Sequence, residues 1–465
     1  MDDRWRGKRV VILGAARQGT ALARYLALRG AEVVLNDRCS AEELEEVRAT
    51  LTGYPIEWVL GGHPFSLLEG TNLLCLSGGI PLTLPLVQEA IAQGIALSND
   101  SQIFLEEARC TVIGITGSAG KSTTTALVGQ MIKAAQNSKD GFQPGQVWVG
   151  GNIGTPLLNF VDMMCPSDVA VLELSSFQLE LMTISPHVAG VLNLTPNHLD
   201  RHVTMEAYTA AKARILAFQK QDDVAVLGRD DVGAWGLADH VQGRLLTFGR
   251  DEPSENLEGT FLREGWIRLR LGEKDQNVLP LEIIRLRGDH NLQNVLAACA
   301  LSGAAGISPE AMAEGVRRFA GMPHRLEFVR SWKGADWYND SIATAPERAM
   351  AAIRSFDEPL VLLAGGRDKN LPWNEFAELV RERVDHLILF GEAVGIIQAA
   401  LSKTPYGQRP YSVSQCQTLE EALRVAVDVI EEGDVVLLAP GGTSFDAFRD
   451  FEERGEYFRK WVMEL

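Results

Sequence analysis

At 465 residues the chain is too long for one ordinary domain and long enough to bury several cores. Hydrophobic residues make up 46% and charged residues 23%, a globular balance, and a formal net charge of −17 excludes the basic footprint of sequence-independent nucleic-acid binding. No apolar run reaches the roughly 20 residues that span a bilayer, and the start MDDRWRGKRVVILG lacks the cleavage site of a secretory leader, so a cytoplasmic protein without membrane contact is expected.

The first segment, KRVVILGAARQGTALARYLALRGAEVVLNDR, reads as a strand, a turn from Gly14 to Gly19, a helix, and a second strand ending at Asp37. An acidic residue about 20 positions beyond a glycine turn is the pattern of a Rossmann-like half. The turn lacks the middle glycine that lets a dinucleotide pyrophosphate approach, so another nucleotide-like ligand fits better than a nicotinamide cofactor. NLLCLSGGI and GIALSND continue the same sheet, and the segment is expected to span residues 1–102.

The second segment, 103–321, opens on VIGITGSAGKSTTTALVG. An apolar strand, a glycine turn and Lys-Ser-Thr entering a helix together form an anion nest. The usual G-x-x-x-x-G-K-[ST] spacing is absent, because Ile115 stands where the upstream glycine belongs. Even so, Lys121 is placed to reach the β- and γ-phosphates of ATP, and the Ser122 hydroxyl to hold Mg²⁺. VAVLELSS sets Glu173 at a strand end, a position from which a carboxylate can hold a neighbouring metal. NHLDRH carries His198 and His202; zinc would require a helix and a third ligand, and the preceding Asn-Leu-Thr-Pro predicts a turn instead. A hydrogen-bonding or Mg²⁺ role for a histidine here fits better.

Residues from about Asp222 to Leu286 predict a small sheet, with RDEPSENLEGT as a hairpin tip or loop. GDHNLQNVLAACALSGAAG predicts a helix whose Asn291 and Asn294, three apart, either read an adenine edge or cap the helix start. In the third segment, 322–465, ADWYNDSIATAPERAMAAI, PLVLLAGGRDKN, HLILFGEAV and DVVLLAPGGTSFDAF are each a strand followed by a polar turn. Parallel sheets bind ligands beyond the carboxyl ends of their strands, so these four turns are expected to share one edge. The six cysteines form no C-x-x-C pair and are expected as small apolar residues.

Taken in order, GITGSAGKSTTT, GGNIGTPLL, VLELSSFQLE, NLTPNHLDRH, YTAAKARI, GDHNLQN, GMPHRLE, NDSIAT, GGRDK and PGGTSFDAFRDFEERG resemble the Mur ligase family across essentially the whole chain. That family uses G-T-x-G-K-[ST], for which no upstream glycine is required. The resemblance implies an α/β fold of three domains: an N-terminal Rossmann-like domain that binds UDP, a central P-loop-type ATPase domain and a C-terminal Rossmann-like domain. It implies a monomeric, ATP- and Mg²⁺-dependent ligase. The first segment, SSFQL and SFDAFRDFEERG favour the branch that adds D-glutamate to UDP-N-acetylmuramoyl-L-alanine. L-Glutamate, or another amide ligation of the family, MurC-like or of the folylpolyglutamate type, stays open.

Residue by residue, the resemblance implies that Gly117, Gly120, Lys121, Ser122 and Thr123 cradle phosphate. Glu173 and His198 become Mg²⁺ ligands, and Lys212 an N-carboxylated lysine that supports the metal. Asn291, Asn294, Arg325 and Asp340 are implied to contact ATP. Arg17, Gln18, Asp37, Arg38, Gly78, Gly79 and Asn152 are implied to contact the UDP substrate, and Thr344, Lys369, Ser444, Phe445 and Phe451 the amino acid. Lys121, His198 and Lys212 carry the implied catalytic roles. Two departures stand out: Ile342 occupies the lysine position of Asn-Asp-Ser-Lys-Ala-Thr, removing a cation, and Ser118-Ala119 replace the usual Thr-Asn of the phosphate loop.

Overall fold

The computed structural model describes residues 4–138, 141–152, 154–196, 199–404 and 409–465, with backbone alone at 199 and 200. Two compact units form, Met1–Ile284 with Gln293–Arg318 and Arg285–Leu292 with Phe319–Leu465. Three parallel or largely parallel sheets lie within them, as the expected α/β class requires.

The first sheet runs Ile56–Leu60, Glu32–Asp37, Arg9–Leu13, Leu73–Leu76, Ala96–Ser98, all parallel, which is the order of a Rossmann-like half. Its central strand, RVVIL, is buried at Val10 to Leu13 because helices cover both faces. The helix Arg17–Leu28 buries Ala21, Leu22, Tyr25 and Leu26, one stripe at helical spacing. Its first turn lies directly on the strand-end turn, and a Cβ at Gly19 would stand 1.8 Å from the Gly14 carbonyl oxygen. Glycine here is a packing requirement.

The second sheet has nine strands, in the order Lys274–Pro280, Trp266–Leu271, Glu258–Arg263, Arg244–Phe248, Val224–Gly228, Val188–Val191, Thr111–Thr116, Val169–Glu173, Val147–Gly151. The strands expected between about Asp222 and Leu286 as a small sheet are part of this larger one. Val224–Gly228 is buried at Ala225 to Gly228 and pairs in parallel with Val188–Val191, so the strands that follow extend the main sheet. The stretch 249–257 links two parallel neighbours as a loop, and the antiparallel hairpins come only afterwards. A helix, Asp100–Glu107, follows the first sheet, capped by the Asn99 side chain accepting the Gln102 N–H.

In the second unit the order is Glu327–Trp332, Ala335–Asn339, Val435–Gly441, Leu360–Gly365, His386–Phe390, Ser412–Cys416, parallel except for the first pair. The four strand-ending turns read from sequence do share one edge, as the registers Asn339↔Leu438 and Gly365↔Phe390 require. Leu419–Val429 covers this sheet through Leu419, Ala422, Leu423 and Ala426 and starts at Thr418, whose hydroxyl accepts the Glu421 N–H.

Replacing Gly19 by Ala is expected to destabilise the first unit by about 2–4 kcal/mol, because the new methyl meets backbone that cannot yield cheaply. Urea denaturation followed by circular dichroism reads this directly. An unchanged midpoint would mean that the turn opens without cost.

Candidate active site

Strand register assembles the site. Ile115 and Gly151 both pair with Glu173, and Thr116 pairs with Val191, so four strands end level at one edge of the nine-stranded sheet. The phosphate-type loop leaves this edge at Gly117. Gly120 caps the following helix, Lys121–Ala135, with φ +82°, and its absent Cβ would lie 2.2 Å from Asn294 Oδ1. A side chain is thus refused twice, by left-handed backbone and by space.

Side chains from neighbouring strand ends hold the loop. Asn193 brackets Ala119, accepting its N–H at 2.8 Å and donating to its carbonyl at 3.2 Å. Ser118 Oγ donates to the Thr195 carbonyl at 2.8 Å, accepts the Thr195 N–H at 2.9 Å, and lies 3.0 Å from the Tyr208 hydroxyl. The departure Ser118-Ala119 therefore leaves an anchored backbone nest. Asn193 and Tyr208 went unnoticed in the sequence; Tyr208 lies four residues before Lys212 on one helix, a spacing that could have flagged it.

Lys212, 1% exposed, points from the helix Met205–Ala217 into the base of the loop. Its Nζ donates to Thr116 Oγ1 at 3.1 Å and to the Gly117 carbonyl at 3.0 Å. Lys121 Nζ donates to that same Gly117 carbonyl at 2.9 Å. Burial, reinforced by the Lys121 charge and opposed by Glu173, brings the Lys212 amine down to about 7. Glu173 is 2% exposed; its Oε1 accepts from Asn152 Nδ2 at 3.1 Å, whereas its Oε2 is buried without a hydrogen-bond partner. An orphaned carboxylate oxygen near an amine that is easily neutralised suits a bound cation.

His198 lies outside the described residues. Leu199–His202 is a single helical turn where a plain turn was expected. His202 packs inward, with Nε2 2.9 Å from Ser176 Oγ, Nδ1 3.1 Å from Glu180 Oε1, and its ring stacked on Phe177.

Arg17, Gln18, Gly78, Gly79 and Asn152 line one cleft of about 200 Å³, together with Ala16, Gly151, Gly154 and Pro156. The Asn152 N–H bonds the Glu173 carbonyl at 3.0 Å, so this cleft abuts the carboxylate at the sheet edge. Gln18 also accepts the Gly78 N–H at 3.0 Å and shapes the wall. Asp37 and Arg38 do not line this cleft. Asp37 accepts N–H groups from Ala15 at 2.7 Å and Cys39 at 2.9 Å; burial alone would raise its carboxyl, but these donors outweigh it and hold it below the usual range.

In the second unit, Lys369 Nζ donates to Thr344 Oγ1 at 3.3 Å, joining two predicted residues. Ser444 is buried, Phe445 is 61% exposed, and Phe451 opens the helix Phe451–Met463. Beneath them the fully buried Arg454 donates to Ser341 Oγ and to the carbonyls of Ser341, Gly442 and Thr443, tying the NDSIAT and PGGTS turns together. No spacing in the sequence announced Arg454. Asp340 accepts the Leu326 N–H at 3.0 Å; burial raises its carboxyl to about 7, against that bond and the charges of Arg325 and Arg348. Asn291 Nδ2 caps the Arg287 carbonyl at 2.7 Å.

The sequence matches the N-terminal domain of MurD-like Mur ligases over residues 8–99, the Mur ligase middle domain over 115–302, and the Mur ligase glutamate ligase domain over 324–442. A UDP-N-acetylmuramoylalanine–D-glutamate ligase of Symbiobacterium thermophilum is 40% identical over 98% of both chains. One of Pelotomaculum thermopropionicum is 39% identical over the same shares. Among solved structures, UDP-N-acetylmuramate–alanine ligase MurC of Thermotoga maritima shares the fold at TM-score 0.58 and 18% identity, covering 98% of this chain and 99% of its own. MurF of Acinetobacter baumannii does so at 0.58 and 18%, covering 100% and 93%. The chain belongs to the Mur ligase family.

The Lys212 amine sets a pH dependence. Its folded value, about 7, lies below its ordinary 10.5, so between these the unfolded chain holds the extra proton and stability rises with pH; the penalty is complete below pH 7. Metal-free protein is expected to gain stability relative to Lys212→Met from about pH 7 to about pH 9 in parallel urea titrations. Parallel curves for the two proteins would contradict the buried, low-affinity amine.

Proposed function

From this membership we infer that the chain is an ATP-dependent ligase joining D-glutamate to UDP-N-acetylmuramoyl-L-alanine, a step of peptidoglycan precursor synthesis in the cytoplasm, and that it works as a monomer. The observation that carries the reading is the level sheet edge at which a cleft lined by Arg17, Gln18, Gly78, Gly79 and Asn152 abuts Glu173 and the phosphate-type loop. A nucleotide-linked carboxylate held in that cleft would face the place where ATP would present its γ-phosphate.

The chemistry follows from the weakness of a carboxylate as an acyl donor. One carboxylate oxygen attacks the γ-phosphorus and ADP leaves, giving an acyl phosphate. The glutamate amine then adds to the carbonyl carbon, and the tetrahedral intermediate expels inorganic phosphate as the amide forms and the amine proton is released. Catalysis consists of holding reactants in line and neutralising charge on the moving phosphoryl group and the oxyanion. Gly117, Gly120, Thr123 and Lys121 would hold the phosphates; Asn291, Asn294, Arg325 and Asp340 would hold the rest of ATP. Ser122, Glu173, His198 and N-carboxylated Lys212 would bind Mg²⁺, which when bound supplies positive charge against the phosphate oxygens. The near-neutral Lys212 amine supports carboxylation, since only an unprotonated amine adds CO₂.

Asp37 and Arg38 would meet the uridine end. Thr344, Lys369, Ser444, Phe445 and Phe451 would receive glutamate, with Lys369 opposite a carboxylate. We assign these tasks to domains 1–102, 103–321 and 322–465. Ile342 leaves this amino-acid site one cation poorer than the usual motif, which keeps L-glutamate as a second reading.

Phosphate release with ATP, Mg²⁺ and UDP-N-acetylmuramoyl-L-alanine is expected with D-glutamate and at least about tenfold slower with L-glutamate. Equal or reversed rates would overturn the substrate assignment and leave the ligase chemistry standing. Lys212→Ala is expected to lose activity by about 100-fold or more and to recover part of it with added short-chain carboxylate; full activity without rescue would remove the carbamate role.

A further inference from the structure

Beyond the residues that would touch ATP, two adjacent carboxylates hold segments whose neighbouring residues touch the phosphate-type loop. The strand Val224–Gly228 ends at this same sheet edge and is followed by Asp230 and Asp231. Asp231 Oδ1 accepts the Leu194 N–H at 2.9 Å and the Ala234 N–H at 2.8 Å. It thereby fixes Leu194 in NLTP, the stretch whose first residue, Asn193, brackets the Ala119 peptide. Contact between the two segments is tight: a Cβ on Gly233 would stand 2.6 Å from the Leu194 carbonyl oxygen.

Asp230 works in the other direction. Its Oδ2 accepts from Gln293 Nε2 and from the Arg250 N–H, both at 2.7 Å. Gln293 precedes Asn294, which lies against Gly120 and accepts from Thr124 Oγ1 at 3.4 Å. The two carboxylates thus end at opposite sides of one loop, Asp231 at Ala119 and Asp230 at Gly120. Neither contacts the loop itself.

We propose that Asp230 and Asp231 are positioning residues that clamp the phosphate-type loop in its nucleotide-binding shape through Gln293–Asn294 and Leu194–Asn193. The proposal rests on the ATP reading of that loop. Because a hydrogen bond to a charged acceptor is among the stronger kinds, losing one is expected to reach the nucleotide as a loss of affinity of about tenfold.

Calorimetric titration with Mg²⁺ and the β,γ-imido analogue of ATP tests this without turnover. Asp231→Ala and Asn193→Ala are each expected to weaken binding about tenfold, and the double variant no further, since both act along one path. Asp230→Ala and Gln293→Ala should behave alike as a second such pair. Asp231→Asn keeps an acceptor oxygen and is expected to stay within about threefold of the unsubstituted chain. Affinity for UDP-N-acetylmuramoyl-L-alanine should be unchanged throughout, which general loosening of the unit would not allow.

Unaltered analogue binding by Asp231→Ala, or effects of Asp231→Ala and Asn193→Ala that multiply, would overturn the clamp. If Asp231→Ala does not fold, Asn193→Ala decides, and wild-type affinity there overturns the proposal equally. An unsubstituted chain that fails to bind the analogue overturns the ATP reading and the clamp with it; binding that survives every substitution removes the clamp alone.

Discussion

Two lysine nitrogens share one carbonyl oxygen, and the organisation of the first unit follows from that meeting. Lys121 and Lys212 both donate to the Gly117 carbonyl, at 2.9 and 3.0 Å. Burial of Lys212, reinforced by the Lys121 charge, penalises its protonated form and lowers the amine to about 7. The fold therefore sets a readily deprotonated lysine near a carboxylate, Glu173, with one unpaired buried oxygen. Such a pocket is poorly satisfied by protein groups alone and well suited to anions and cations arriving together.

Everything around this meeting keeps the loop from relaxing away from it. Thr116 receives Lys212 and donates its own hydroxyl proton to the Leu174 carbonyl, tying the lysine to the strand that carries Glu173. Asn193 and Ser118 fasten the outer half of the loop, and Asn294 closes on Gly120. The same register that sets Glu173 level with Ile115 sets it level with Gly151, and so brings Asn152 and the cleft to the same place. One strand alignment sets the cleft and the phosphate-type loop at the same edge.

The second unit solves a related problem differently. Its turns NDSIAT and PGGTS come from strands that are neighbours in the sheet but far apart in sequence. Arg454 joins them by donating to a hydroxyl and three carbonyls, and burial lowers its guanidinium to about 10 without removing its charge. A lysine could not satisfy that planar fork of acceptors. The exposed Phe445 and the Lys369–Thr344 pair rest on this frame.

The sequence by itself determined the α/β class, the glycine turn with its Lys-Ser, the carboxylate at the end of VAVLE and the strand-ending turns of the third segment. These are local signals: apolar runs, glycine where backbone turns left-handed or packs close, and a charge at the end of a run are written in contiguous residues. Tertiary structure alone decided that residues 222–286 extend the main sheet, because edge pairing depends on a partner strand more than thirty residues away. It decided, too, that Asp37 accepts the backbone N–H groups of Ala15 and Cys39, that burial lowers the Lys212 amine to about 7, and that Asn193, Asp230, Asp231 and Arg454 hold loops in shape. Burial and hydrogen-bond partnership are properties of neighbours in space, and a solvated lysine or aspartate and a buried one are spelled alike.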